Sequence, residues 1–274
     1  MPELPEVETI RRQLAPHAEG RVLTRLAISD PRWSHPLPPP ELAAATEGRR
    51  VERLRRRGKY LIWELEDEAY LLLHLRMTGT LLRGAPPATP HARVSFELDG
   101  GAESFLFVDP RRFGTGELAL GEPALRAFLG ARLGAEPFDP EFTAQHVRGL
   151  AKRCRAPVKA FLLDQKRIAG VGNIYADEAL HRAGIHPERP ANALKPAQTA
   201  ALRDAVVASL EAGIAAKGAT IDDFRHPDGV RGSFQDQFLV HLRAGEPCGT
   251  CGTLVRKLVV AGRGTYVCET CQPL

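Results

Sequence analysis

Four of the chain's five cysteines stand as two pairs, Cys248-x2-Cys251 and Cys268-x2-Cys271, with sixteen residues between the pairs. Thiolates at that spacing build a four-coordinate zinc site, and a site filled by four cysteines leaves no position for an activated water. Two disulfides are the alternative; in a chain that reads as cytosolic, thiols stay reduced and zinc is favoured. The N-terminus, Met1-Pro2-Glu3-Leu4-Pro5-Glu6-Val7-Glu8, carries a different chemistry. Removal of Met1 would leave Pro2 as a free secondary amine beside the Glu3 carboxylate. An α-amino group titrates at roughly 7.7 to 8.0, so a useful fraction is unprotonated near neutral pH. Attack of such an amine on a sugar carbon can give an iminium, by the logic of lysine Schiff bases. A plainer reading also fits, in which Pro2 and Glu3 open a helix whose first turns hold Glu3, Glu6 and Glu8 against the positive end of the dipole. Both readings can hold together.

A third reactive candidate is Lys59, in Arg55-Arg56-Arg57-Gly58-Lys59-Tyr60. The chain has seven lysines against thirty arginines, and a lysine can lose its proton when desolvated whereas an arginine effectively cannot. The alternative is a solvated basic strand edge.

The elements that must position these groups follow from the residue pattern. Leu4, Val7, Ile10 and Leu14 predict an N-terminal helix. Residues 21–29, 50–65, 69–83, 93–99, 103–108 and 117–120 are short β-branched or alternating runs punctuated by Gly, Pro and Asp, which predicts an antiparallel β-sandwich. Pro36 to Pro40 reads as a surface loop. From Gly121 the period becomes helical: 122–133, 142–154, a capped hairpin over 157–187 with Asn173 as N-cap, and 195–217. Between the cysteine pairs, 254–260 and 265–267 predict a hairpin whose tip is Ala261-Gly262-Arg263-Gly264. The fold class is α+β, with 1–133 as a sandwich domain, 134–235 as a helical domain and 236–274 as a zinc finger. At 274 residues and 43% hydrophobic content such domains can fill their cores. The net charge of +4 allows a polyanionic partner without requiring one. No apolar run approaches a membrane span and the N-terminus is unlike a signal peptide, so the expected location is the cytoplasm.

Five stretches, in order along the chain, resemble the formamidopyrimidine-DNA glycosylases, base-excision repair enzymes that remove oxidised purines and cut the strand. They are PELPEVE, the Gly58-Lys59-Tyr60 run, His74-Leu75-Arg76-Met77-Thr78-Gly79 with Asp109-Pro110-Arg111-Arg112-Phe113-Gly114, the segment 157–187, and the four-cysteine module. The resemblance implies a catalytic set of Pro2, Glu3, Lys59 and Arg263, acting through a Schiff base on Pro2 and β,δ-elimination. It implies that Met77, Arg111 and Phe113 fill the hole left by an everted base, where isolated residues of these types would ordinarily be core. It further implies DNA contacts at His91, Arg155, Lys159 and Asn173, a helix-two-turns-helix element over 157–187, DNA lying between the domains, and a lesion-capping loop over 218–235. One structural zinc is expected on Cys248, Cys251, Cys268 and Cys271. The expected partner is double-stranded DNA with oxidised bases or abasic sites, bound by a monomer and away from membranes. Arg76 stands where the family usually has Gly, Cys154 interrupts a run beside Arg155 that is often all basic, and His241-Leu242 replaces a common Tyr-Gly. The alternatives are the endonuclease VIII branch, which prefers oxidised pyrimidines, and a non-enzymatic zinc-ribbon DNA-binding protein. Leu4 and the Arg111-Arg112-Phe113 run favour the purine branch.

Overall fold

The structure is a computed structural model that describes residues 2–86, 88–100, 104–220, 227–228 and 231–274. Met1 and much of the expected lesion-capping loop lie outside the described residues. The chain forms two compact units, residues 1–131 with 216–233, and residues 132–215 with 234–274. The described residues 216–220, 227–228 and 231–233 thus group with the β unit, although the sequence reading places them with the helices.

The first unit opens with α1 (Leu4–Ala18), whose Val7, Ile10 and Leu14 point into the core at helical spacing. One four-stranded antiparallel sheet has the order β1 (Leu23–Ile28), β6 (Ala92–Leu98), β7 (Ser104–Val108), β5 (Thr80–Arg83). The other has the order β2 (Val51–Arg57), β3 (Tyr60–Leu65), β4 (Ala69–His74), β8 (Thr115–Leu120). Val94, Phe96 and Leu98 alternate inward along β6, whereas all six residues of β4 are buried, as expected of an inner strand covered on both faces. Trp63 of β3 stacks on Phe96 of β6 with ring centroids 5.1 Å apart, so the two sheets share one core.

One helix escapes the sequence reading. Pro39–Thr46 forms α2, starting inside the segment read as a loop. Proline is tolerated in a first turn, where its missing N–H would have no helical partner, and the Leu-Ala-Ala-Ala run that follows is a strong helix former.

The second unit packs α4 (Ala144–Lys152), α5 (Val158–Leu163), α6 (Asn173–Arg182) and α7 (Pro196–Ala215), while α3 (Glu122–Gly130) still belongs to the first. Asn173 is the first residue of α6 and Gly172 occupies the N-cap, one position earlier than expected. The C-terminal hairpin consists of β9 (Arg256–Val260) and β10 (Arg263–Val267), in register Val260 to Arg263. Among the described residues, no helix is long and apolar enough to cross a membrane.

Candidate nucleic-acid processing site

The N-terminus is held by acids. Glu3 caps α1 in a reciprocal box: its side chain accepts from the Glu6 amide, and its own amide donates to Glu6 Oε2 at 2.8 Å. Glu6 Oε1 accepts from the Ala219 amide at 2.7 Å, so one buried carboxylate joins the residue after Pro2 to the 216–220 segment. That segment is closed against 231–233 by Ser233 N to Ala216 O, 2.9 Å, and Gly232 N to Thr220 Oγ1, 2.8 Å. Pro2 and Glu3 are both buried.

Lys59 sits in the two-residue turn between β2 and β3, where Arg57 pairs with Tyr60. Gly58 takes φ 57°, which the first position of such a turn permits only to glycine without strain. The turn is fastened to α1: Arg56 Nη1 donates to Gly58 O at 3.0 Å, and Arg56 Nε to Glu8 Oε2 at 3.3 Å. Burial would raise the Glu8 carboxyl, but hydrogen bonds from Arg11 and Arg12 and the charges of Arg11 and Arg56 hold it down at about 2. Lys59 is itself buried, which removes the reading as a solvated edge. Burial, with the positive charges of Arg76 and Lys59, also pushes nearby His74 down to about 3.

Met77 and Arg111–Phe113 are brought together by topology. The loop carrying Met77 runs from β4 in one sheet to β5 in the other, and the loop carrying Phe113 returns from β7 to β8. Because His74 pairs with Thr115 and Thr80 with Val108, the two crossings must lie side by side. Gly79 and Gly114 both rest on the Phe107 ring, where an added Cβ would come within 2.9 and 2.3 Å of the same atom. Asp109 locks the pair. Its carboxylate accepts from Phe113 N at 2.8 Å, Gly114 N at 2.7 Å, Arg111 N at 3.2 Å, and the Thr78 hydroxyl of the facing loop. His91, at φ 65°, accepts from Asp109 N through its carbonyl at 3.0 Å and belongs to the same end.

These side chains are not core. Met77 is 37% exposed and Phe113 50%, with the Arg111 guanidinium 4.8 Å from the Phe113 ring centroid. Arg76 adopts φ 54°, the left-handed region, so the loop keeps the geometry that glycine would serve and the arginine bears the strain.

In the second unit the structure corrects the expectation for Lys159. Rather than facing DNA it is 0% exposed, and its Nζ donates to Asp177 Oδ1 at 2.7 Å, Thr265 Oγ1 at 2.8 Å and Gly264 O at 3.0 Å. Asn173 Nδ2 also donates to Gly264 O at 3.0 Å. Asn173, Asp177 and His181 recur every four residues on one face of α6, and that face carries the zinc hairpin. Glu178 adds to the docking by accepting from the amides of Leu239, Val240 and His241 at 2.9 to 3.1 Å. Arg155 and Arg263 are exposed. Glu6, Asp109, Asp177, Glu178 and His181 are not picked out by sequence reasoning; the four-residue recurrence of Asn173, Asp177 and His181 is the available signal for α6.

The four cysteines gather their sulfurs within 4.8 Å of one another, with Cys248 to Cys271 at 3.9 Å and Cys251 to Cys268 at 3.4 Å. Tetrahedral zinc with bonds of about 2.3 Å needs sulfurs roughly 3.8 Å apart, so the set fits. A Thr253 hydrogen bond leads in holding Cys251 down at about 6, while burial pushes Cys271 up to about 12. Crowded thiolates of this kind can all ionise only around a cation.

Comparison with known proteins agrees with this arrangement. Residues 1–116 match the formamidopyrimidine-DNA glycosylase N-terminal domain, 133–225 the formamidopyrimidine-DNA glycosylase H2TH domain, and 245–274 a zinc finger found in FPG and IleRS. A formamidopyrimidine-DNA glycosylase from Chloroflexus aggregans is 44% identical over 100% of this chain and 99% of its own. The crystal structure of MutM (Fpg) from Thermus thermophilus superposes with a TM-score of 0.89 at 42% identity, covering 99% of this chain and 98% of that one. Lactococcus lactis Fpg, bound non-covalently to DNA containing an AP site, gives 0.90 at 33% identity, over 99% and 100% of the two chains. The chain belongs to the formamidopyrimidine-DNA glycosylase family.

Proposed function

We propose that this protein is a bifunctional DNA base-excision repair enzyme, excising oxidised purines from duplex DNA and then cutting the strand, as a monomer in the cytoplasm on nucleoid DNA. The observation that carries the reading is the exposed trio Met77, Arg111 and Phe113, pinned by one buried aspartate. An apolar wedge supports neighbours unstacked by base eversion, and a guanidinium can hydrogen-bond the orphaned partner base.

With Met1 removed, the Pro2 nitrogen attacks the anomeric carbon as the sugar C1′–O4′ bond opens; Glu3, next in the chain, takes the proton released by the nitrogen and passes it to the ring oxygen. The nitrogen lone pair then expels the damaged base, which takes up a proton from water, and leaves the iminium. Loss of a C2′ proton expels the 3′ phosphate, with Lys59 assisting, and a second elimination assisted by Arg263 releases the 5′ phosphate. His91, Arg155 and Asn173 hold the backbone, Asn173 at the start of α6 where helix amides favour anions. Zinc on the four cysteines folds the hairpin that presents Arg263 and does no chemistry, since its coordination is filled.

The test is incision of duplexes carrying 8-oxoguanine, thymine glycol or no lesion, with borohydride present to trap the iminium. Preferential incision of 8-oxoguanine with a covalent adduct is expected, the adduct disappearing in Pro2→Gly. Preference for thymine glycol would move the chain to the endonuclease VIII reading, and binding without incision to that of a zinc-ribbon binding protein.

A further inference from the structure

The four-residue stripe on α6 ends at His181, whose Nε2 lies 3.4 Å from Cys248 Sγ in a buried contact. Its other nitrogen, Nδ1, is buried and has no hydrogen-bond partner among the described residues. A neutral imidazole has one N–H and one lone pair. A proton on Nδ1 would be a buried, unmet donor; a proton on Nε2 points at the sulfur and leaves only an unused lone pair. The hydrogen-bond network therefore assigns Nε2–H as donor and Cys248 as acceptor.

We infer that His181 is a positioning residue of the zinc site, donating a hydrogen bond from the helical domain to the Cys248 thiolate. Zinc bound by four thiolates is a net dianion, and Cys248 is too buried for water to share that charge. Amides of Thr250 and Cys251 already point at this sulfur from within its own knuckle. Among the described residues, His181 is the side chain from outside 245–274 that reaches a ligand sulfur, so it both spreads the charge and fixes the knuckle against α6. Polar partners of metal ligands commonly contribute 10- to 100-fold in metal affinity. The inference concerns metal retention and stands independently of the repair reading.

Two variants of the full-length protein separate donation from packing. His181→Phe keeps an aromatic ring and deletes the donor; His181→Gln loses the ring but can place an amide N–H near the same point. Zinc affinity is measured against a chromophoric chelator, and the sulfur-to-metal charge-transfer bands are recorded after cobalt(II) substitution. The expected result is about 10- to 100-fold weaker zinc binding and shifted bands in His181→Phe, with His181→Gln within a few-fold of the parent. Equal losses in both variants, a loss confined to His181→Gln, or unchanged affinity and bands in His181→Phe would each overturn the assignment.

Discussion

Lys159 separates a phosphate contact from a structural tie, because the two roles move different observables. A lysine on a phosphate releases counterions, and its removal lowers the slope of log K against log salt by about 0.9. Lys159 has no surface through which to do this. All three protons of its ammonium are spent on Asp177, Gly264 and Thr265, and the side chain is fully enclosed. In Lys159→Met the Asp177 carboxylate keeps the His241 ring, 2.8 Å away on Oδ2, but loses the ammonium that balances its charge. Breaking a buried pair from one side typically costs about 3 to 5 kcal/mol, because the remaining charge is stranded. For a domain of this size that corresponds to a fall in melting temperature on the order of 10 °C or more. Arg263→Ala is the matched control, exposed at the hairpin turn. Thermal unfolding of the zinc-loaded proteins and DNA affinity over a salt series are the assays. A large stability loss with an unchanged slope is expected for Lys159→Met, and the reverse for Arg263→Ala. A slope reduced by about one with unaltered melting in Lys159→Met would refute the argument and restore the phosphate contact.

Asp109→Asn should replace one acceptor by a donor facing amide or hydroxyl donors, costing about 3 kcal/mol for two charge-assisted bonds and slowing single-turnover excision while cutting at preformed abasic sites suffers less; equal rates on lesion duplexes would contradict the locking role. Glu3→Gln should lower base release by about 100- to 10,000-fold, the usual worth of one proton-transferring group, and spare part of the strand cutting at an abasic site. The pH dependence has a definite sign at His74, which is neutral when folded down to about 3 against an ordinary 6.5. Its contribution to stability is complete above 6.5 and is lost as pH falls toward 3, so His74→Gln should flatten the stability profile between 6.5 and 4.5, above the window from 4.5 to about 2 in which Glu8 acts.

What can be read from sequence depends on how far apart the interacting residues lie. Alternation in β6 and the four-residue rise of Leu4, Val7, Ile10 and Leu14 are local, and both elements form as those patterns predict. The four cysteines and the exposed Met77, Arg111 and Phe113 are visible as short motifs. Lys159 is misjudged because its partners lie 18 and about 105 residues away, and a lysine on a short helix looks exposed until the fold closes over it. The cap of α6 falls one residue earlier than the sequence suggests because an asparagine is the better cap by side chain, whereas here its amide is drawn to Gly264 and glycine takes the cap. Glu6 looks like one more acid in a first turn, since its second contact comes from Ala219, 213 residues on.

These misjudged or missed positions share a physical logic. The chain is net basic, yet its loops are organised by buried acids that collect backbone amides: Glu6 gathers those of Glu3 and Ala219, Asp109 those of Arg111, Phe113 and Gly114, and Glu178 those of residues 239 to 241. A carboxylate accepts from several amides at once and has no donor to misplace, so it can fix an irregular segment that has no ladder of its own. The same division leaves Arg111, Arg155 and Arg263 exposed for a polyanion. The exposed arginines are therefore available to a polyanionic ligand, and the buried acids set the geometry of the loops. Neutralising an organising acid should therefore disturb the aim of a loop more than overall charge, and its effect on DNA affinity should persist at high salt, where that of an exposed arginine fades.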